Sequence, residues 1–128
     1  TTLLKWLKLN LYNFMEKIID AKNKKIGRIA SAVAKILLGK DQPNFQNHVV
    51  ADVKVIINNA SLSDVSDKKK GTTTYERYSG YPGGIKMESM TRVIEKKGFA
   101  EVYKQAVYGM LPPNRLRKER MKNLTINE

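Results

Sequence analysis

Apolar positions change their period several times along the 128-residue chain, and each change marks an element. "KIID" (Lys17–Asp20) is a short apolar run and reads as a strand. Beyond the basic turn "AKNKK", Ile26, Ile29, Ala30, Val33, Ile36 and Leu37 recur at three- and four-residue spacing, which makes one apolar helical face. Arg28, Ser31 and Lys35 fall on the opposite face, and Gly39 supplies a stop. "VKVIIN" (Val53–Asn58) is β-branched and almost unbroken, as expected of a parallel strand covered on both faces. Strand, helix and strand in this order predict a βαβ unit with a right-handed crossover.

The pattern is less regular in the second half. "SDKKKG" (Ser66–Gly71) reads as a basic turn, and "TTTYERYS" alternates as a strand does. The glycine-rich "YSGYPGGIK" (Tyr78–Lys86) then falls between that strand and a helix carrying Met87, Met90 and Ile94 inward and ending at Gly98. A second helix aligns Phe99, Val102, Tyr103, Ala106, Val107 and Met110, with a stop at Gly109. Pro112 and Pro113 redirect the chain, a basic segment runs to Lys122, and "LTIN" reads as a last strand. The expected organisation is a single domain over residues 15–128, without internal repeat or linker. Residues 1–14 form a basic, acid-free, amphipathic extension. A transit-peptide remnant and read-through ahead of a start at Met15 both fit it.

Charge changes this picture. The chain has 24 Lys and Arg against 12 Asp and Glu, a formal +12, and a surplus of that size favours a polyanionic partner. It is also patterned. Residues 22–40 hold Lys22, Lys24, Lys25, Arg28, Lys35 and Lys40 and no acid. Lys68, Lys69, Lys70, Arg77 and Lys86 face only Glu76 within their segment, and Arg115, Arg117, Lys118, Arg120 and Lys122 face only Glu119. A merely solubilising surface would not require such clustering.

Several chemistries lack their residues. The glycines form neither G-x-G-x-x-G after a strand nor a phosphate-binding P-loop, since Gly39-Lys40 is followed by Asp41. There is no cysteine and one histidine, His48, so no His/Cys metal cluster can be assembled. His48 reads as a structural or RNA-contacting residue rather than a catalytic base. The carboxylates are scattered, so the chain is not expected to be an enzyme. No apolar run approaches the roughly 20 residues of a membrane span.

Two constellations remain. In "YERYSGYPGGIK", Gly80, Gly83 and Gly84 let a foreign backbone come close, and Pro82 stiffens the loop. Tyr75, Tyr78 and Tyr81 can stack on bases, while Arg77 and Lys86 supply charge. A plain strand-to-helix turn with surface tyrosines accounts for the same residues. In "KQAVYGMLPPNRLRKERMKNL" five bases fall within eight residues, which suits a segment laid on RNA and also a solvated basic helix.

Taken together, "IIDAKNKKIGRIASAVAKILLGK", "YERYSGYPGGIK" and "AVYGMLPPNRLRKERMKNL" resemble the bacterial-type large-subunit ribosomal protein thirteen family, in its order and spacing, from about Met15 to Ile126. The resemblance implies an α/β fold: a three-layer α/β/α domain with a mainly parallel central sheet of about four strands. It implies a structural constituent of the large ribosomal subunit, bound to large-subunit (23S-type) ribosomal RNA and to neighbouring large-subunit proteins. It further implies a role in subunit assembly, with no cofactor, no small-molecule substrate and no membrane. A free RNA-binding translational regulator is the alternative. The implied location is the cytoplasm, in a bacterial ribosome, with an organellar ribosome as the other possibility. The RNA-facing residues it implies are Lys24, Lys25, Arg28 and Lys40; Lys68, Lys69, Lys70, Tyr75, Arg77, Tyr78, Gly80, Tyr81, Gly83, Gly84 and Lys86; and Arg115, Arg117, Lys118, Arg120 and Lys122. The family's histidine-valine-aspartate stretch is kept only loosely, as "HVVADV", and its glycine- and histidine-rich tail has no counterpart in the sequence.

Overall fold

A computed structural model describes Thr2 and residues 15–128; the reading of residues 1–14 otherwise lies outside the described residues. The elements are β1 (Met15–Asp20), α1 (Ile26–Leu38), β2 (Val53–Asn58), a 3-10 turn (Ala60–Leu62), α2 (Asp67–Thr72), β3 (Thr74–Tyr78), β4 (Ile85–Ser89), α3 (Met90–Lys97), α4 (Phe99–Met110), α5 (Arg117–Met121) and β5 (Leu124–Ile126). Strands β1, β2 and β5 form a parallel sheet in that spatial order, with Met15 opposite Val53 and Val55 opposite Leu124. Strands β3 and β4 form a separate antiparallel ribbon. The mainly parallel α/β architecture is therefore as expected. Among the described residues its central sheet holds three strands rather than about four, because the alternating "TTTYERYS" segment pairs with β4 instead of joining it.

The core lies between the sheet and α1 with α4. Helix α1 buries Ile26, Ile29, Ala30, Val33, Ala34 and Leu37, the stripe that its spacing requires. Val53, Val55 and Ile57 of β2 meet this stripe and are fully buried. Helix α4 adds Val102, Tyr103 and Val107. Fully burying a side chain of the Val or Ile kind is worth roughly 1.5–3 kcal/mol, so this interface fixes the fold.

Among the described residues the expected third layer is not formed. Lys54 and Thr125 on the opposite face of the sheet are exposed, Ile56 is half-buried, and Ile18 is 66% exposed. Among the described residues, the β-branched run of β2 thus serves a strand that is fully buried on one face and only partly covered on the other. Its composition reflects β propensity as much as burial.

Local chemistry sets the joints. The Asp20 carboxylate accepts from the Asn59 side chain and from the Lys22 N–H, both at 3.0 Å, and these bonds hold it below the usual carboxylate range while turning the chain out of β1. Ser66 caps α2, its hydroxyl accepting from the Lys69 N–H at 3.3 Å, so the expected basic turn is a short helix. Ser89 caps α3 through the Arg92 N–H in the same way, at 3.4 Å. The α3 helix therefore begins at Met90, and Met87 lies on β4 with 61% of its surface exposed. Helix α4 continues one residue past Gly109 and receives its N-terminal acceptor from far away in the chain. The Glu128 carboxylate takes the Ala100 N–H at 3.2 Å, where a negative charge complements the helix dipole.

Candidate nucleic-acid interface

The first group of cations gathers where α1 begins. Lys24 and Lys25 precede the helix and Arg28 lies in its first turn; all three are exposed and line one surface groove of about 540 Å³. No side chain caps this end of α1 and no acid lies in its first turn. The positive end of the helix dipole therefore lies beside these cations and adds to their field, an arrangement suited to phosphate. Lys25 also pairs with Asp64 on the far wall of the groove. Lys40 does not belong to this group. It follows the C-terminal cap Gly39, and a 13-residue helix of about 20 Å separates it from Lys24.

The second group sits on α2 and the β3–β4 ribbon. Lys68 and Lys69 are exposed on α2, and Lys70 is half-buried, its carbonyl accepting from the Thr91 hydroxyl. "YSGYPGGIK" joins two strands, not a strand and a helix, since Ile85–Ser89 alternates and pairs with Thr74–Tyr78. Pairing register then divides the tyrosines. Tyr75 and Arg77 share a face with Lys86 and Glu88, whereas Tyr78 shares the other face with Ile85 and Met87. Burial pushes the Tyr75 phenol above its ordinary range, while Tyr78 and Tyr81 stand 65% and 75% exposed.

The loop glycines have different reasons to be there. At Gly83 the backbone is left-handed, with φ of 73°, and a side chain would meet open space. At Gly84 a Cβ would overlap the Ser79 hydroxyl and lie 2.9 Å from the Tyr81 carbonyl, so this glycine serves the turn itself. Gly80 is left-handed and exposed like Gly83.

The third group does not stay together. Arg115, Lys118 and Lys122 are exposed. Arg117 is half-buried: its guanidinium carbon lies 4.2 Å from the centroid of the Tyr108 ring, and its nitrogens donate to the carbonyls of Leu111 and Pro112, each at 3.4 Å. Arg120 is 1% exposed, so it does not stand on the surface with the other expected RNA-facing cations. Its Nη2 donates to the Asn47 carbonyl in the segment 40–52 at 3.3 Å, while Nε and Nη1 have no hydrogen-bond partner among the described residues. A pattern of bases in sequence shows charge and not depth. Neither does the sequence reading include Tyr108, although it falls outside the apolar stripe of α4, and an aromatic at a solvent position was the available signal.

Cations collected at a helix start, on a short capped helix and on a projecting ribbon, all carried by a compact parallel-sheet body, define a small basic α/β scaffold protein. The family model for ribosomal protein L13 matches residues 15–128, and the chain belongs to that family of structural, non-enzymatic ribosomal proteins. It is 41% identical over 109 residues to the large ribosomal subunit protein uL13 of Chlorobium phaeobacteroides strain BS1, covering 85% of this chain and 72% of the relative. It is 39% identical to the proteins of the same name from Prochlorococcus marinus strain MIT 9312 and Caldanaerobacter subterraneus subsp. tengcongensis, covering 85% of this chain and 76% of each relative.

Proposed function

We propose that this chain is a structural component of the large ribosomal subunit that binds large-subunit ribosomal RNA and supports assembly of the particle. The observation that carries the reading is the groove at the start of α1, where Lys24, Lys25 and Arg28 surround an uncapped helix N-terminus. The exposed Lys68, Lys69, Arg77, Tyr78, Tyr81 and Lys86 supply a second contact, and Arg115, Lys118 and Lys122 a third. Neighbouring large-subunit proteins complete the environment. The bacterial sources of the relatives support a bacterial ribosome as the location. No helix among the described residues is long and apolar enough to cross a membrane, and no three or more His, Cys, Asp or Glu side chains gather there as a metal site would need.

The test is sedimentation of tagged chain expressed in cells, before and after a high-salt wash of the ribosomes. Co-migration with the large subunit through the wash is the expected result. Recovery in the supernatant overturns the reading in favour of a free RNA-binding regulator that uses the same cations.

A further inference from the structure

We infer that the groove between α4 and α5 receives a single unpaired nucleotide, its base against Tyr108 and Met121 and its phosphates on Lys104 and Lys118. The proposal rests on the RNA-binding reading above and specifies what one part of the surface takes. Tyr108 borders two adjacent hollows. One, of about 490 Å³, is shared with Pro113, Arg115 and Arg117, and the other, of about 370 Å³, with Lys104, Gly109 and Met121; Lys118 lines both. Arg117 already occupies one face of the ring and is anchored there by the Leu111 and Pro112 carbonyls. The ring is therefore fixed in place while 41% of the residue is still exposed toward solvent. A pre-positioned aromatic with a guanidinium behind it is a stacking platform for a base.

Gly109 points the same way. It is the last residue but one of α4, a helical position where glycine gives up more backbone freedom than alanine would. A Cβ at this position would meet nothing within 4 Å, and the backbone is not left-handed there. The protein's own packing gives no reason for the missing side chain, and its absence keeps the 370 Å³ hollow open. The rim decides the occupant. Lys104, Arg115 and Lys118 are exposed around an apolar floor, and Glu119 is the only acid on α5. An apolar side chain of a partner protein would leave these cations unmatched, whereas a base flanked by phosphates satisfies both floor and rim. A duplex keeps its bases stacked inside and offers no base to the ring.

The full chain is titrated with a short single-stranded oligoadenylate carrying 2-aminopurine, and with an RNA duplex of equal length. Wild type should quench the fluorophore on binding. Gly109→Leu fills the hollow with a better helix former, so it should weaken single-strand binding about tenfold or more, leave duplex binding unchanged and melt no lower than wild type. Tyr108→Leu, which keeps apolar bulk but removes the ring, should repeat the selective loss and covers the case in which Gly109→Leu fails to fold. Equal losses on both RNAs, or none, overturn the inference and leave the RNA-binding reading standing. Wild type that binds neither RNA overturns both. Variants that bind RNA normally but are excluded from the large subunit assign the groove to a protein partner, which also overturns the inference.

Discussion

Arg120 reaches the backbone carbonyl of Asn47 at 3.3 Å and so ties α5 to the irregular segment that links α1 to β2. Among the described residues the bond leaves Nε and Nη1 buried without partners, and no acid pairs with this charge. Even a buried ion pair can often be replaced by apolar side chains of similar volume with a neutral effect or a gain of about 1–4 kcal/mol, and a buried charge with no acid beside it has less to lose. Arg120→Met is therefore expected to hold or raise the urea midpoint and to leave RNA affinity unchanged. Arg120→Glu places a carboxylate in the same unpaired site and should lower stability by about 3 kcal/mol or more. Loss of RNA binding in a folded Arg120→Met variant would show that this arginine reaches RNA after all.

The ribbon makes the opposite prediction. Tyr81 is 75% exposed at the tip, so Tyr81→Ala should change stability by no more than about 0.5 kcal/mol. If the tip stacks on a base, affinity for large-subunit RNA should fall by about 1–3 kcal/mol. Melting curves beside fluorescence anisotropy on an RNA fragment check both. Unchanged affinity would reduce the tip to a simple turn.

Exposed cations in three places predict a steep dependence on salt. Neutralising about 6–10 phosphates gives a slope of log affinity against log salt of about −4 to −9. Binding isotherms at several potassium chloride concentrations measure it directly. A slope shallower than about −2 is incompatible with phosphate-dominated contact.

Stability should also fall in alkali. Tyr103 is fully buried and bonded to the Ser63 hydroxyl, and burial pushes its phenol above the ordinary value despite that bond, as burial also does for Tyr75. Once pH passes about 10 the unfolded chain releases these protons before the folded chain does, so it binds fewer and stability drops. Tyr103→Phe should cost about 1 kcal/mol near neutrality through the lost hydrogen bond, and it should flatten the alkaline decline. Urea unfolding at neutral and alkaline pH compares the two proteins. Parallel declines would assign the effect to other groups.

The elements that the sequence revealed are those whose burial follows one period. Ile26 to Leu37 stripes a single helix face, and Val53 to Ile57 is too β-branched to be anything but a strand. The ribbon escaped because Met87, Met90 and Ile94 are spaced as a helix would space them, although Ser89 marks where the helix begins. The depth of the basic residues was hidden for a different reason. Arg117 and Arg120 lie three positions apart and carry the same charge, yet one stacks on Tyr108 and the other is sealed in. The carbonyl that holds it belongs to the 40–52 segment, which has no periodicity for a sequence reading to follow.

The parallel sheet has a consequence for synthesis of the chain. Strand β2 takes β5 as its second neighbour, with Val55 opposite Leu124. At 5–20 residues per second the roughly 70 residues between them take several seconds to emerge, and for that time one edge of a strongly apolar strand has no partner. An open strand edge is a template for pairing with other chains. The nascent protein is therefore expected to pass through an interval in which that edge is open to other chains, and slowing translation ahead of Leu124 should lengthen the interval and lower the soluble yield.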